Sequence, residues 1–175
     1  MNYTDILLEQ LGLDDEMIRT YCDVREVEVD EISETWTFDM YFSQTIPALY
    51  YRNFINHLLK LPEKISSIKH VDYKVEFNEI DEDLILDYYD FAIDIILHDN
   101  KRILPLKDYP TDIEDKTIKI YVPKGAISAT IFRNDIEAEM HKNGFNYHVE
   151  IVIDDSQTTI DESIQNDIDT FVEAN

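Results

Sequence analysis

Val27 and Val29 alternate with charged residues, and Trp36, Phe38, Met40 and Phe42 alternate with Thr35, Thr37, Asp39 and Tyr41. A period of two is that of a strand with one apolar face, so both runs read as strands, with "DEIS" as the hairpin turn between them. The even-numbered aromatics are expected to lie inward together. Pro47 then opens a helix, where its missing N–H costs nothing. Tyr50, Phe54 and Leu58 recur at i, i+4, i+8, Ile55, Leu59 and Leu61 widen the stripe, and Pro62 closes it. Upstream, "TDILLEQLGL" predicts a short helix stopped by Gly12, and "DDEMIRTYC" a second one with acidic residues in its first turn.

Downstream, "HVDYKVEFN" alternates again through Val71, Tyr73, Val75 and Phe77. A helix is expected from about Asp81 to His98, since Leu84, Tyr88, Ala92 and Ile95 follow helical spacing. Pro105 and Pro110 make 99–115 irregular or locally helical. "KTIKIYV" is a further strand, and Pro123-Lys124-Gly125 a turn. A helix from about Ala126 to Lys142 ends at Asn143-Gly144, before a last strand in "YHVEIVI". No internal repeat is evident. The order helix, hairpin, helix, strand, helix, strand, helix, strand predicts an α+β domain over 1–153, a mixed sheet with helices packed on one face. Trp36, Phe38, Met40, Phe42, Tyr50, Phe54 and Leu58 are its expected core. The segment 154–175 has seven acidic residues and no basic one. Its Ile160, Ile164, Ile168 and Val172 fall four apart, so it reads as an acidic connector, partly helical where the stripe docks.

Charge changes the functional picture more than the fold. The 175 residues hold 38 Asp and Glu against 15 Lys and Arg, a formal charge of −23. DNA affinity rests on cations displacing phosphate counterions, so tight direct nucleic-acid binding is not expected. Cys22 is the single cysteine, which rules out an internal disulfide and fits a reducing, cytoplasmic setting. No signal peptide and no run long enough to span a membrane is read.

Chemistry-bearing motifs are sparse. His57, His70, His98, His141 and His148 show no metal-ligand spacing. Asp87, Asp90 and Asp94 share a helix side and read as its solvated face. Gly12, Gly125 and Gly144 stand apart and build no phosphate-cradling loop; no cofactor is expected. Lys101, Arg102, Lys107, Lys116, Lys119 and Lys124 gather six of the fifteen cations into 24 residues. They form a charged loop or a docking rim for an acidic partner.

The runs "LLEQLGLDDEMI", "ETWTFDMYFSQTIPALYYRNFINHL", "DLILDYYDFAI" and "HKNGF" together resemble the N-terminal region of PolC, the replicative DNA polymerase III alpha subunit of many Gram-positive bacteria. The resemblance covers about residues 6–153 and rests on packing and turn positions. It implies a non-catalytic piece of a DNA-directed DNA polymerase with 3'-5' exonuclease, whose metal-binding motifs are not found in these residues. It implies docking to replisome proteins, such as the clamp-loader tau subunit, and to the rest of the polymerase chain. That region is likened to the alpha-binding domain of tau, with a KH-like fold. KH domains grip nucleic acid through a Gly-x-x-Gly loop, which this chain lacks. The alternative reading is a stand-alone acidic protein that mimics DNA, supported by the charge alone.

Overall fold

The computed structural model describes residues 2–154. The expected connector stripe of Ile160, Ile164, Ile168 and Val172 lies outside the described residues. The described residues divide into two compact units, 2–91 with Met140–Phe145, and Ala92–Glu139 with 146–154. The α+β class and the mixed strand pairing expected from the sequence hold, but the pairing is distributed over two three-stranded sheets instead of one.

The first unit opens with α1 (Tyr3–Leu11) and α2 (Glu16–Tyr21). The Asn2 side chain accepts from the Asp5 N–H to cap α1, and Gly12 at φ 67° ends it. These are the local devices that satisfy orphan groups at helix ends. Thr4 is buried on α1; its Oγ1 donates to the Cys22 carbonyl and accepts from the Val24 N–H, fixing the helix to the first strand. Strands β1 (Cys22–Asp30) and β2 (Thr35–Gln44) form the expected hairpin, and β3 (His70–Glu79) adds parallel to β2. A bulge between Val24 and Glu26 shifts the register by one residue, which keeps Val24 and Val27 on the same face.

Four cross-strand rows therefore line the apolar face: Cys22/Phe42/Phe77, Val24/Met40/Val75, Val27/Phe38/Tyr73 and Val29/Trp36/Val71. Over this face lies α3 (Ala48–Leu59), burying Ala48, Tyr51, Phe54, Ile55 and Leu58. The Tyr51 ring sits 5.8 Å from Phe42, 6.1 Å from Phe77 and 5.0 Å from Tyr88. Phe38, Met40, Phe42, Phe54 and Leu58 are buried. Tyr50 is not: it is 41% exposed, and Tyr51 takes its place in a stripe that keeps the expected Phe54, Ile55 and Leu58. At 100° per residue, positions 51, 54, 55 and 58 cluster within one arc while position 50 falls at its margin. Trp36 is only partly buried, because its row is the last on the sheet.

In the second unit, β4 (Thr111–Glu114) pairs antiparallel with β5 (Thr117–Pro123), and β6 (His148–Asp154) adds parallel to β5. Ile118, Ile120, Val122 and Val149 are buried, together with Ala129, Phe132 and Ile136 of α5 (Ile127–Lys142). A 3₁₀ segment, Lys101–Asp108, buries Ile103 and Leu106. The boundary between units falls inside α4 (Ile85–Asp99) and inside α5.

Each unit is built as hairpin, helix, parallel strand, and the two share a detailed anchor. Glu34 (φ 54°) immediately precedes β2, and Lys116 (φ 58°) immediately precedes β5. The Glu34 carbonyl accepts from the His70 N–H at 3.2 Å, and the Lys116 carbonyl accepts from the His148 N–H at 3.0 Å. Thr35 pairs with His70 and Thr117 with His148, and each histidine begins its strand, as His-Val-Asp in one and His-Val-Glu in the other. The expectation of no internal repeat is thus corrected at the level of structure. The duplication resides in topology and one turn geometry, which leave few identical residues.

Candidate partner-docking surfaces

Among the described residues no group of three or more His, Cys, Asp or Glu is placed to hold a metal ion. Cys22 is buried, and burial followed by the nearby Asp23 charge pushes its thiol far above the ordinary range, which disfavours the thiolate that a nucleophile needs. Asp94 is paired with Lys107, while Asp87 and Asp90 are exposed on the same helix. The His57 ring nitrogen Nδ1 is 2.7 Å from the Asn53 carbonyl, and His148 Nδ1 is 3.6 Å from Glu137 Oε1. None of these arrangements sets an acid beside a base or nucleophile in a cleft.

The six cations between 101 and 124 are not brought into one cluster. Lys101 and Arg102 open the 3₁₀ segment and are exposed; Lys107 near its end is paired with Asp94. Lys119 bonds Glu114 at 2.8 Å, which holds the Glu114 carboxyl below its ordinary range and the Lys119 ammonium above its own. Lys116 precedes β5 and Lys124 follows it, so the strand separates them by roughly 26 Å at about 3.3 Å per residue.

A different surface emerges in the first unit, at the far end of the apolar face. Burial falls row by row along the sheet. Phe42 and Met40 are fully buried and Phe38 is 3% exposed, whereas Trp36 and Val71 are partly exposed and Val29 is 50% exposed. The hairpin that follows carries Ile32, which is 98% exposed. Local hydrogen bonds shape this tip. Asp30 Oδ1 accepts from the Ile32 N–H at 3.0 Å and the Ser33 N–H at 3.3 Å, forming an Asx-type turn. Those backbone donors pull the Asp30 carboxyl below its ordinary range. Ser33 Oγ donates to Thr35 Oγ1 at 3.0 Å. The Glu34 carbonyl accepts from the Lys69 N–H at 2.9 Å, and its carboxylate pairs with Lys69 Nζ at 2.8 Å. Sequence reading found Trp36 but missed Ile32, Val29 and Val71 as its exposed companions. The available signal was an isoleucine inside an acidic turn.

Buried polar order appears where α5 ends. Tyr51 Oη and Tyr73 Oη both donate to Asn143 Oδ1, at 2.5 and 3.0 Å, and Asn143 is 2% exposed. Lys142 lies 4.6 Å from the Tyr73 ring centre and 3.1 Å from Asp72. These contacts give "HKNGF" a packing role in the first unit.

Compared with known families, residues 5–75 match the model described as DNA polymerase III polC-type N-terminus I. The matched span runs from α1 to the middle of β3 and so includes the hairpin tip and the Trp36 row. No curated protein sequence matches the chain. Among the described residues no helix is long and apolar enough to cross a membrane.

Proposed function

We propose that this chain, whose residues 5–75 match the polC-type DNA polymerase III N-terminus I model, is a non-catalytic docking region of a replicative DNA polymerase. In this reading it joins the rest of the polymerase chain to other replisome proteins, the clamp-loader tau subunit among them. The family match is the observation that carries the reading. The surface chemistry is consistent with it. A net charge of −23 repels phosphate, so the partners this chain suits are proteins with basic surfaces. Aromatic and aliphatic side chains are spent on two packed cores, with one apolar row left partly open.

Isothermal titration calorimetry of the intact chain against purified tau subunit tests the reading. Binding in the micromolar range or tighter, on the order of −8 kcal/mol, is expected. Absence of heat with tau and with every other purified replisome protein, or primer extension by the chain alone, overturns it.

A further inference from the structure

We infer that the open end of the first sheet, formed by Trp36, Val29, Val71 and the hairpin residue Ile32, is a docking surface for a basic, amphipathic protein segment. The inference rests on the reading of the chain as a docking region and names the surface and its chemistry.

Three observations converge. The first is apolar exposure of a kind that a monomer has reason to bury. Val29, Trp36 and Val71 form one cross-strand row, and the row ends at a hairpin whose Ile32 is 98% exposed. A single exposed aliphatic residue needs no explanation. The row contains the chain's one tryptophan, a residue type enriched at interface hot spots, and continues into a bare isoleucine. The second observation is local bonding. The Asx turn at Asp30, the Ser33–Thr35 bond and the Glu34 contacts to Lys69 and His70 tie the tip to itself and to the start of β3, which lowers the ordering required on binding. The third is charge. At the tip, residues 30–34 contain Asp30, Glu31 and Glu34 and no cation, while Glu26 and Glu28 alternate with Val27 and Val29 and so lie on the opposite face. Lys69 lies nearby and is committed to Glu34.

The same charges decide the mode of docking. β1 is an edge strand, the outermost of its sheet. Its start is closed by Thr4 of α1, and its open remainder carries Glu26, Glu28 and Asp30. Carboxylates along an edge oppose the addition of another strand. The partner therefore engages through side chains: apolar groups against Trp36, Val29 and Ile32, with Lys or Arg against the acidic hairpin tip.

The test uses Trp36 as its own reporter, since no other tryptophan contributes emission. The intact chain is titrated with a synthetic amphipathic helix made of leucine and lysine, and separately with a lysine homopolymer of equal charge. A saturable blue shift of Trp36 emission is expected with the first and none with the second. Ile32→Asp, on a side chain that packs against nothing, should weaken the leucine–lysine peptide at least about tenfold, although it adds negative charge. Leu49→Asp, at another exposed apolar position of the same unit (74% exposed), should leave the affinity unchanged. Circular dichroism verifies that both variants keep the fold. Equal shifts with both peptides, no shift with either, or affinity indifferent to Ile32→Asp would overturn the inference. None of these outcomes depends on whether tau binds.

Discussion

Replacing Gly144 with alanine puts a methyl group where the structure has no room for one. Gly144 ends α5 at φ 91°, its N–H donating to the His141 carbonyl at 3.1 Å, while the Phe145 N–H reaches the Met140 carbonyl at 2.9 Å. A Cβ built there lies 2.7 Å from Phe77 Cδ2, 2.9 Å from Phe77 Cε2 and 3.2 Å from Val75 Cγ1. The Phe77 ring cannot swing aside, because Phe42, Phe145 and Tyr88 stand 5.0, 5.1 and 5.9 Å from its centre. Left-handed backbone with a side chain costs about 1–2 kcal/mol, and overpacking a filled core a further 1–3 kcal/mol, roughly. Gly144→Ala should therefore destabilise by about 2–5 kcal/mol in total. Gly12→Ala is the internal control. Its φ is 67°, and its Cβ meets only Lys64 Nζ at 3.5 Å, the far end of a flexible side chain. That variant should lose only the backbone share, about 1–2 kcal/mol. The entropy that alanine removes from the unfolded chain is common to both and cancels in the comparison. Urea unfolding followed by Trp36 emission reports on the unit that holds both glycines. If Gly144→Ala shifts the midpoint no further than Gly12→Ala, the close packing of Gly144 on Phe77 is refuted.

Phe42→Ala, at a fully buried ring, should cost about 3–5 kcal/mol, whereas Tyr50→Ala on the exposed side of α3 should stay within about 0.5 kcal/mol; chemical denaturation of both separates the observed helix phase from the one through Tyr50. Thr4→Val leaves the Val24 N–H and the Cys22 carbonyl without the hydroxyl that serves both, for a loss of about 1–3 kcal/mol in the same assay. Cys22 should resist alkylation at neutral pH until denaturant is added; fast labelling of native protein would contradict its burial. Asp30 has a depressed folded-state value, so its stabilisation of the tip is complete above the ordinary carboxyl range and is lost as pH falls through the lower, folded value. Amide exchange at Ile32 and Ser33, corrected for the intrinsic rate, should lose protection only in that acidic window.

Much of the fold was legible because alternation and helical spacing are local signals. Phe38, Met40 and Phe42 face inward as their period of two requires. Tyr50 was read in place of Tyr51 on α3 because the two are chemically alike; Ala48 and Ile55 select Tyr51. β4 escaped notice because it is four residues long and follows two prolines. Its turn, Asp115-Lys116, takes positive φ without glycine, as does Glu34 in the other hairpin, so neither turn announces itself by composition. Periodicity also says nothing about which strands pair, so one sheet and two sheets share the same pattern. The duplicated ββαβ plan was hidden for that reason. The open end of the first sheet was invisible because exposure of Val29 and Val71 depends on where α3 stops covering the face.

The most direct test removes this region from a PolC-type polymerase that carries it. Nucleotide incorporation on a short primer-template and association with the clamp loader are then measured side by side. The account predicts incorporation little changed and association lost. A fall in incorporation of about tenfold or more, equivalent to about 1.4 kcal/mol of barrier, with association intact, would contradict it.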